Sequence, residues 1–135
     1  MKHNKKRDLQ DSGDAPRGAK VQTAIPGLDE VLHGGLPEGS TTLVAGRAGT
    51  GKSMLSLEIA YKTAASGQSA VFVSFEESEV EIRHNAASLG WELEELEQGG
   101  KFVLSSPRIN YGVVYAGEFS IDGLLAVLAG QGKEI

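Results

Sequence analysis

The sequence predicts an α/β fold in which a parallel sheet is covered by helices on both faces, and three observations carry that expectation. Gly46-Arg47-Ala48-Gly49-Thr50-Gly51-Lys52-Ser53 has the complete spacing of a phosphate-binding P-loop. The apolar, β-branched run Thr41-Thr42-Leu43-Val44-Ala45 leads into it, and Leu57, Ala60, Tyr61 and Ala64 follow at i, i+3, i+4 and i+7, so the order is strand, glycine loop, helix. Further on, Ala70–Phe75 and Lys101–Ser105 are apolar runs of strand length separated by helix-forming segments. Runs apolar on both faces suit parallel strands joined by right-handed crossovers, with a ligand at the carboxyl ends of the strands.

Taken in order, residues 1–20 read as a basic, disordered leader, and residues 21–135 as the N-terminal portion of one ATPase-type domain. Six basic and three acidic side chains lie in Met1–Lys20, against seven and fifteen in the remainder. Lys2-His3-Asn4-Lys5-Lys6-Arg7 has no aromatic to stack on bases and soon meets Asp8, Asp11 and Asp14, which favours a solvated tail over a nucleic-acid or membrane contact. Ile25-Pro26-Gly27-Leu28 turns into a short helix with Leu28, Val31 and Leu32 on one side, stopped by His33-Gly34-Gly35-Leu36-Pro37. After the P-loop helix, Ser66-Gly67 breaks the pattern ahead of the Ala70–Phe75 strand. Ser78 and Glu81 form a capping box for a helix with Ile82, Ala86 and Leu89 inward and Gly90 at its end. Trp91 reads as a packing anchor, and Glu92–Glu97 as a solvated helical turn ending at Gly99-Gly100. After the third strand, Ser106–Phe119 reads as loop, and Ser120 caps a last helix with Ile121, Leu124, Leu125 and Leu128 apolar.

The loop defines the chemistry. Glycines let the backbone N–H groups close around a β-phosphate, Lys52 carries charge to the β- and γ-phosphates, and the Ser53 hydroxyl at the start of a helix can hold Mg²⁺. The implied ligands are a nucleoside triphosphate and magnesium. A chance match on a chain with 18 glycines is the plain alternative, and the strand and helix on either side argue against it.

The run Val71-Phe72-Val73-Ser74-Phe75-Glu76-Glu77 superficially resembles a Walker B strand. It is, however, the first strand after the P-loop helix, and it ends in Glu rather than the Asp usual at a magnesium site. A carboxylate at the end of a strand beside a P-loop can instead orient and deprotonate the water that attacks the γ-phosphate. Strand alternation predicts that only one of the two glutamates faces the phosphate. The plain alternative is that both solvate a strand end and favour the next helix N-terminus.

Composition narrows the class. The 135 residues, 40% hydrophobic, suffice for one core. The absence of cysteine rules out disulfides and thiolate metal sites and fits a cytoplasmic location. The net charge of −5 is unevenly placed, with the globular part acidic and the leader basic, which argues against a broad nucleic-acid footprint on the globular part, and no run is long and apolar enough for a membrane span. His3, His33 and His84 are too scattered to suggest a metal site.

Four segments together resemble the KaiC family, RecA-like ATPases of the circadian clock: Pro26-Gly27-Leu28-Asp29-Glu30-Val31-Leu32-His33-Gly34-Gly35-Leu36-Pro37, the P-loop, Phe72–Glu77, and Asn85-Ala86-Ala87-Ser88-Leu89-Gly90-Trp91. The resemblance covers Val21–Ile135 and is to the first of two tandem ATPase domains. It implies an ATP-dependent homo-hexamer with nucleotide at subunit interfaces, clock or signalling partner proteins, and autokinase activity directed at a second domain. It also implies a proton acceptor at Glu76 supported by Glu77, and phosphate contacts from Gly49, Thr50, Gly51, Lys52, Ser53 and Met54; Gly46, at the start of the loop, is read as nucleotide-binding from the P-loop spacing itself. Ser88 would make a further nucleotide contact. The family's Walker B strand would follow Ile135, so the expectation for these residues alone is ATPase activity near background.

Two other functions compete with the ATPase reading. A DNA recombinase of the RadA type shares the RecA-like core but often carries a cysteine zinc finger, and this chain has no cysteine. The other is a non-catalytic module that binds ATP only to assemble.

Overall fold

The predicted parallel sheet forms where two apolar runs can pair. The structure, a computed structural model, describes residues 18–107 together with Asp122, Gly123, Ala126, Ala129 and Gly130. Ala70–Val73 and Phe102–Ser105 are parallel strands (β3 and β4, the elements being numbered in chain order), with Ala70 opposite Phe102 and Val73 opposite Ser105. Ala70 N donates to Lys101 O at 2.9 Å and Ser74 N to Ser105 O at 3.0 Å, so the ladder is closed at both ends. β3 stops two residues earlier than predicted, and Phe75–Glu77 leave the sheet as a bend.

The P-loop helix, α2 (Lys52–Ala65), lies on β3 and β4. Its predicted stripe is the buried one: Leu57 and Ala64 are each 2% exposed, with Ala60 and Tyr61 packed on the same core. Two helices, α3 (Glu79–Ser88) and α4 (Leu93–Gln98), make the crossover from β3 to β4. The capping box is present, with Glu81 N donating to Ser78 Oγ and Glu81 Oε2 accepting from Ser78 N at 2.9 Å. Hydrogen bonds from the Ser78 hydroxyl and then its N–H hold the Glu81 carboxyl below its ordinary pKa.

Ile82 and Ala86 of α3 are buried as predicted, whereas Leu89 is 53% exposed. The helix ends at Ser88, so Leu89 sits past the last regular turn and drops out of the stripe. The expectation that Glu92–Glu97 is solvated throughout also changes. Leu93 is buried and Leu96 packs on the core, because two leucines three apart share a face while Glu94 and Glu95 take the other. A bidentate ion pair, Arg83 with Glu97, ties α3 to α4, and these hydrogen bonds raise the guanidinium pKa further. Trp91 stacks on Tyr61, centroids 5.5 Å apart and planes at 18°, joining the crossover to α2 as a packing anchor.

Ahead of the P-loop, a small antiparallel pair that the sequence pattern did not reveal joins β1 (Lys20–Val21) to β2 (Leu36–Pro37). Lys20, the end of the predicted leader, is thus its first strand residue. The predicted short helix is α1 (Leu28–Val31), but Val31 is 76% exposed. Four residues make barely one turn, and no residue of α1 is fully buried; Leu28 and Leu32 are half-buried. Gly35 (φ 121°) lies where a Cβ would come within 2.2 Å of Val21 O, so the hairpin closes directly onto this glycine. Asp29 receives Thr23 N and Thr23 Oγ1 on one oxygen, both at 2.8 Å, and Ala24 N on the other at 3.0 Å.

The predicted P-loop strand is the main correction. Thr41–Ala45 carries no strand, Leu43 is 87% exposed, and Val44 is 42% exposed. The segment has no ladder partner among the described residues, and a β-branched run without a partner gains nothing by being a strand. The predicted 106–119 loop is described only at Ser106 and Pro107. Ser120 and the apolar positions of the last predicted helix, Ile121, Leu124, Leu125 and Leu128, lie outside the described residues. Among the described residues, no helix is long and apolar enough to cross a membrane.

Candidate functional site

The P-loop folds around one carbonyl. Arg47 O accepts from Thr50 Oγ1 at 2.7 Å and from Lys52 Nζ at 2.8 Å, which draws the middle of the loop back over its own start. Gly49 (φ 76°) and Gly51 (φ 91°) take the left-handed region the turn demands, and Gly51 is the N-cap residue of α2. Gly46 is required for a different reason, since a Cβ there would sit 2.8 Å from Thr50 Oγ1. Lys52 and Ser53 open α2, with Met54 behind them packed against the core. An ammonium has three donors, so Lys52 keeps two for an anion after bonding Arg47.

Across from the loop, the acidic turn is braced through its backbone. Glu77 N donates to Ser74 Oγ at 3.0 Å, and Glu77 O accepts from Ser106 Oγ at 2.7 Å. The Glu77 carboxylate accepts from Asn85 Nδ2 of α3 at 3.4 Å. Glu76 is exposed, and its carboxylate has no hydrogen bond among the described residues.

A cavity of about 300 Å³ lies between the two parts, with Lys52, Ser53 and Ser56 of α2 on one side and Ser74, Glu76 and Glu77 on the other. Strand alternation had predicted that only one glutamate would face the loop. Both line the cavity, because they lie in the bend beyond Val73, where period-two alternation no longer applies. Ser88 does not join them: it is exposed at the end of α3, and its hydroxyl bonds back to Asn85 O at 2.7 Å. Sequence reasoning missed Ser74, Asn85 and Ser106. A serine just past a strand end, or a lone asparagine within a helix, carries no period, and only the pairing of β3 with β4 brings Ser106 to Glu77.

The residues present fit a triphosphate with magnesium. Gly49 and Gly51 leave open space where a Cβ would project, the Lys52 ammonium retains donors, and the Ser53 hydroxyl borders the cavity.

Comparison with known proteins gives a consistent result. The family model described as ATPase: KaiC matches residues 21–129. The circadian clock oscillator protein KaiC of Acaryochloris marina is 44% identical over 108 residues, which are 78% of this chain and 21% of that protein. KaiC 1 of Synechocystis is 40% identical over 116 residues, covering 83% of this chain and 22% of that protein. The crystal structure of a KaiC-like protein from the archaeon Pyrococcus horikoshii OT3 superposes with a TM-score of 0.73 at 34% identity, over 86% of this chain and 49% of that one. The chain thus spans about a fifth of the length of these curated relatives, and its fold class is the RecA-like P-loop α/β fold.

Proposed function

Since this chain belongs to the KaiC family of ATPases, we propose that it is the nucleotide-binding part of an ATP-hydrolysing module. The observation that carries this reading is the single cavity shared by Lys52, Ser53, Glu76 and Glu77. The loop amides from Gly46 to Ser53, with Thr50 and Met54, cradle the phosphates. Lys52 neutralises developing charge on the β- and γ-oxygens. The Ser53 hydroxyl would hold Mg²⁺, which would supply positive charge to the phosphate oxygens. Glu76, whose carboxylate has no competing hydrogen bond among the described residues, accepts the proton of the attacking water, while Glu77 is held by Asn85 in the supporting role. Ser88 contributes to the nucleotide only if the end of α3 turns toward it.

The relatives' names, circadian clock oscillator proteins, support a clock role for the whole protein; beyond those names, the proposed reading is a homo-hexameric, cytoplasmic ATPase in a clock or signalling system, with autokinase activity directed at a second domain. The test is made on the full-length protein. Lys52→Ala should weaken ATP binding by about two orders of magnitude, as expected for loss of a charged hydrogen-bonding partner. Glu76→Gln should bind ATP normally and turn it over at least about a hundredfold more slowly, the scale of general-base catalysis. Calorimetry showing parental affinity in the first variant, or parental turnover in the second, would overturn the corresponding assignment.

A further inference from the structure

The acidic turn is held from a distant point in the chain. Glu77 O lies just before the N-cap Ser78, so it belongs to neither the α3 ladder nor the β3–β4 ladder. Its partner is the Ser106 hydroxyl, 29 residues later, one position past the end of β4. Pro107 restricts the backbone of Ser106 to extended conformations, so the hydroxyl is presented from a stiffened stem. On the other side of the same residue, Ser74 Oγ takes the Glu77 N–H. Two serines from adjacent strand ends therefore grip the Glu77 residue through its N–H and C=O.

Resting on the assignment of Glu76 as proton acceptor, we propose that Ser106 is a positioning residue for hydrolysis, which fixes the Glu76–Glu77 turn so that the Glu76 carboxylate stays directed into the cavity beside Lys52 and Ser53. Ser106 itself borders a neighbouring hollow of about 280 Å³ with Phe75, Glu76 and Glu77. It does not line the cavity that holds Lys52, so it acts through the turn and makes no contact with phosphate. Releasing Glu77 O lets the turn relax toward solvent, and a misplaced base loses rate without losing ligand.

The experiment compares ATP turnover and ATP affinity in the full-length protein for Ser106→Ala and Ser106→Thr, beside Glu76→Gln. Ser106→Ala should lower kcat about tenfold with KM and Kd within about twofold of the parent, the pattern of a misaligned reacting group. Ser106→Thr keeps the hydroxyl and should restore most of the rate. Adding Ser106→Ala to Glu76→Gln should change kcat no further, because the residue works through that carboxylate. If Ser106→Ala fails to fold, the isosteric pair Ser106→Thr and Ser106→Val decides, since only the hydroxyl differs between them. Parental kcat in Ser106→Ala or Ser106→Val, while Glu76→Gln is slow, overturns the positioning role alone. Parental kcat in Glu76→Gln overturns the underlying assignment.

Discussion

Two short apolar runs with the same local character end up in opposite states. Val71, Phe72 and Val73 pair in register with Val103, Leu104 and Ser105, and α2 packs on them. Thr41–Ala45, equally β-branched and apolar, is exposed throughout and carries no strand. The difference lies outside both segments. A strand is a shared property of two chains of amides, and propensity matters only once a partner is beside it. The P-loop that follows Ala45 nevertheless keeps its turn, because Arg47 O, Thr50, Lys52 and two left-handed glycines hold it internally. A loop closed by its own residues does not need the strand before it.

The largest effect expected from this contrast is on stability. In the 135-residue chain, Phe102→Ala should cost about 3–5 kcal/mol, the range for emptying a buried aromatic site, whereas Leu43→Ala should stay within about 0.5 kcal/mol. Denaturant melts measure both, and amide exchange should be fast at Thr41–Ala45 and slow in β3 and β4. A Leu43→Ala loss comparable with that of Phe102→Ala would show that the first run is paired in solution.

The loop should respond in binding and the core in stability. Gly46→Ala places a methyl group against Thr50 Oγ1 and should weaken ATP binding about tenfold, given the cost of ångström-scale misplacement. Its melting temperature should match the parent's, since residues 40–51 are all exposed. A fall in melting temperature with affinity intact would reverse that division. On the crossover side, Ser78→Ala removes a side-chain cap and should cost about 1 kcal/mol of stability. An unchanged denaturation midpoint would mean that the capping box contributes nothing.

The smallest effect concerns acid. The Thr23 N–H, opposed by desolvation and assisted by the Thr23 hydroxyl and Ala24 N–H, holds the Asp29 carboxyl below its ordinary range. A depressed folded value means that this stabilisation is fully present above the usual carboxylate range. It is lost as pH falls through the lowered value. Asp29→Asn should therefore flatten part of the acid limb of melting temperature against pH below about pH 5. Superimposable acid limbs for parent and variant would remove Asp29 from the account.

Much of the site was legible because its signals are local. The P-loop spacing, the α2 stripe through Leu57 and Ala64, and the Ser78–Glu81 capping box each depend on residues within a few positions of one another. The burial of Leu93 was harder to see, since four glutamates among residues 92–97 mask two leucines that share one face. Leu89 was misplaced for the converse reason: its spacing continued the stripe, but the helix had already ended.

By itself, the sequence determined the phosphate loop, the helices that bear periodic apolar faces, and which acids lie near a strand end, because each follows from backbone sterics and short-range hydrogen bonding. Tertiary structure alone decided which apolar runs became strands, that both Glu76 and Glu77 border the cavity of Lys52, and that Ser106 reaches Glu77. Those outcomes depend on pairing between residues up to about thirty positions apart, and a ladder partner's presence is not written in the segment that needs it.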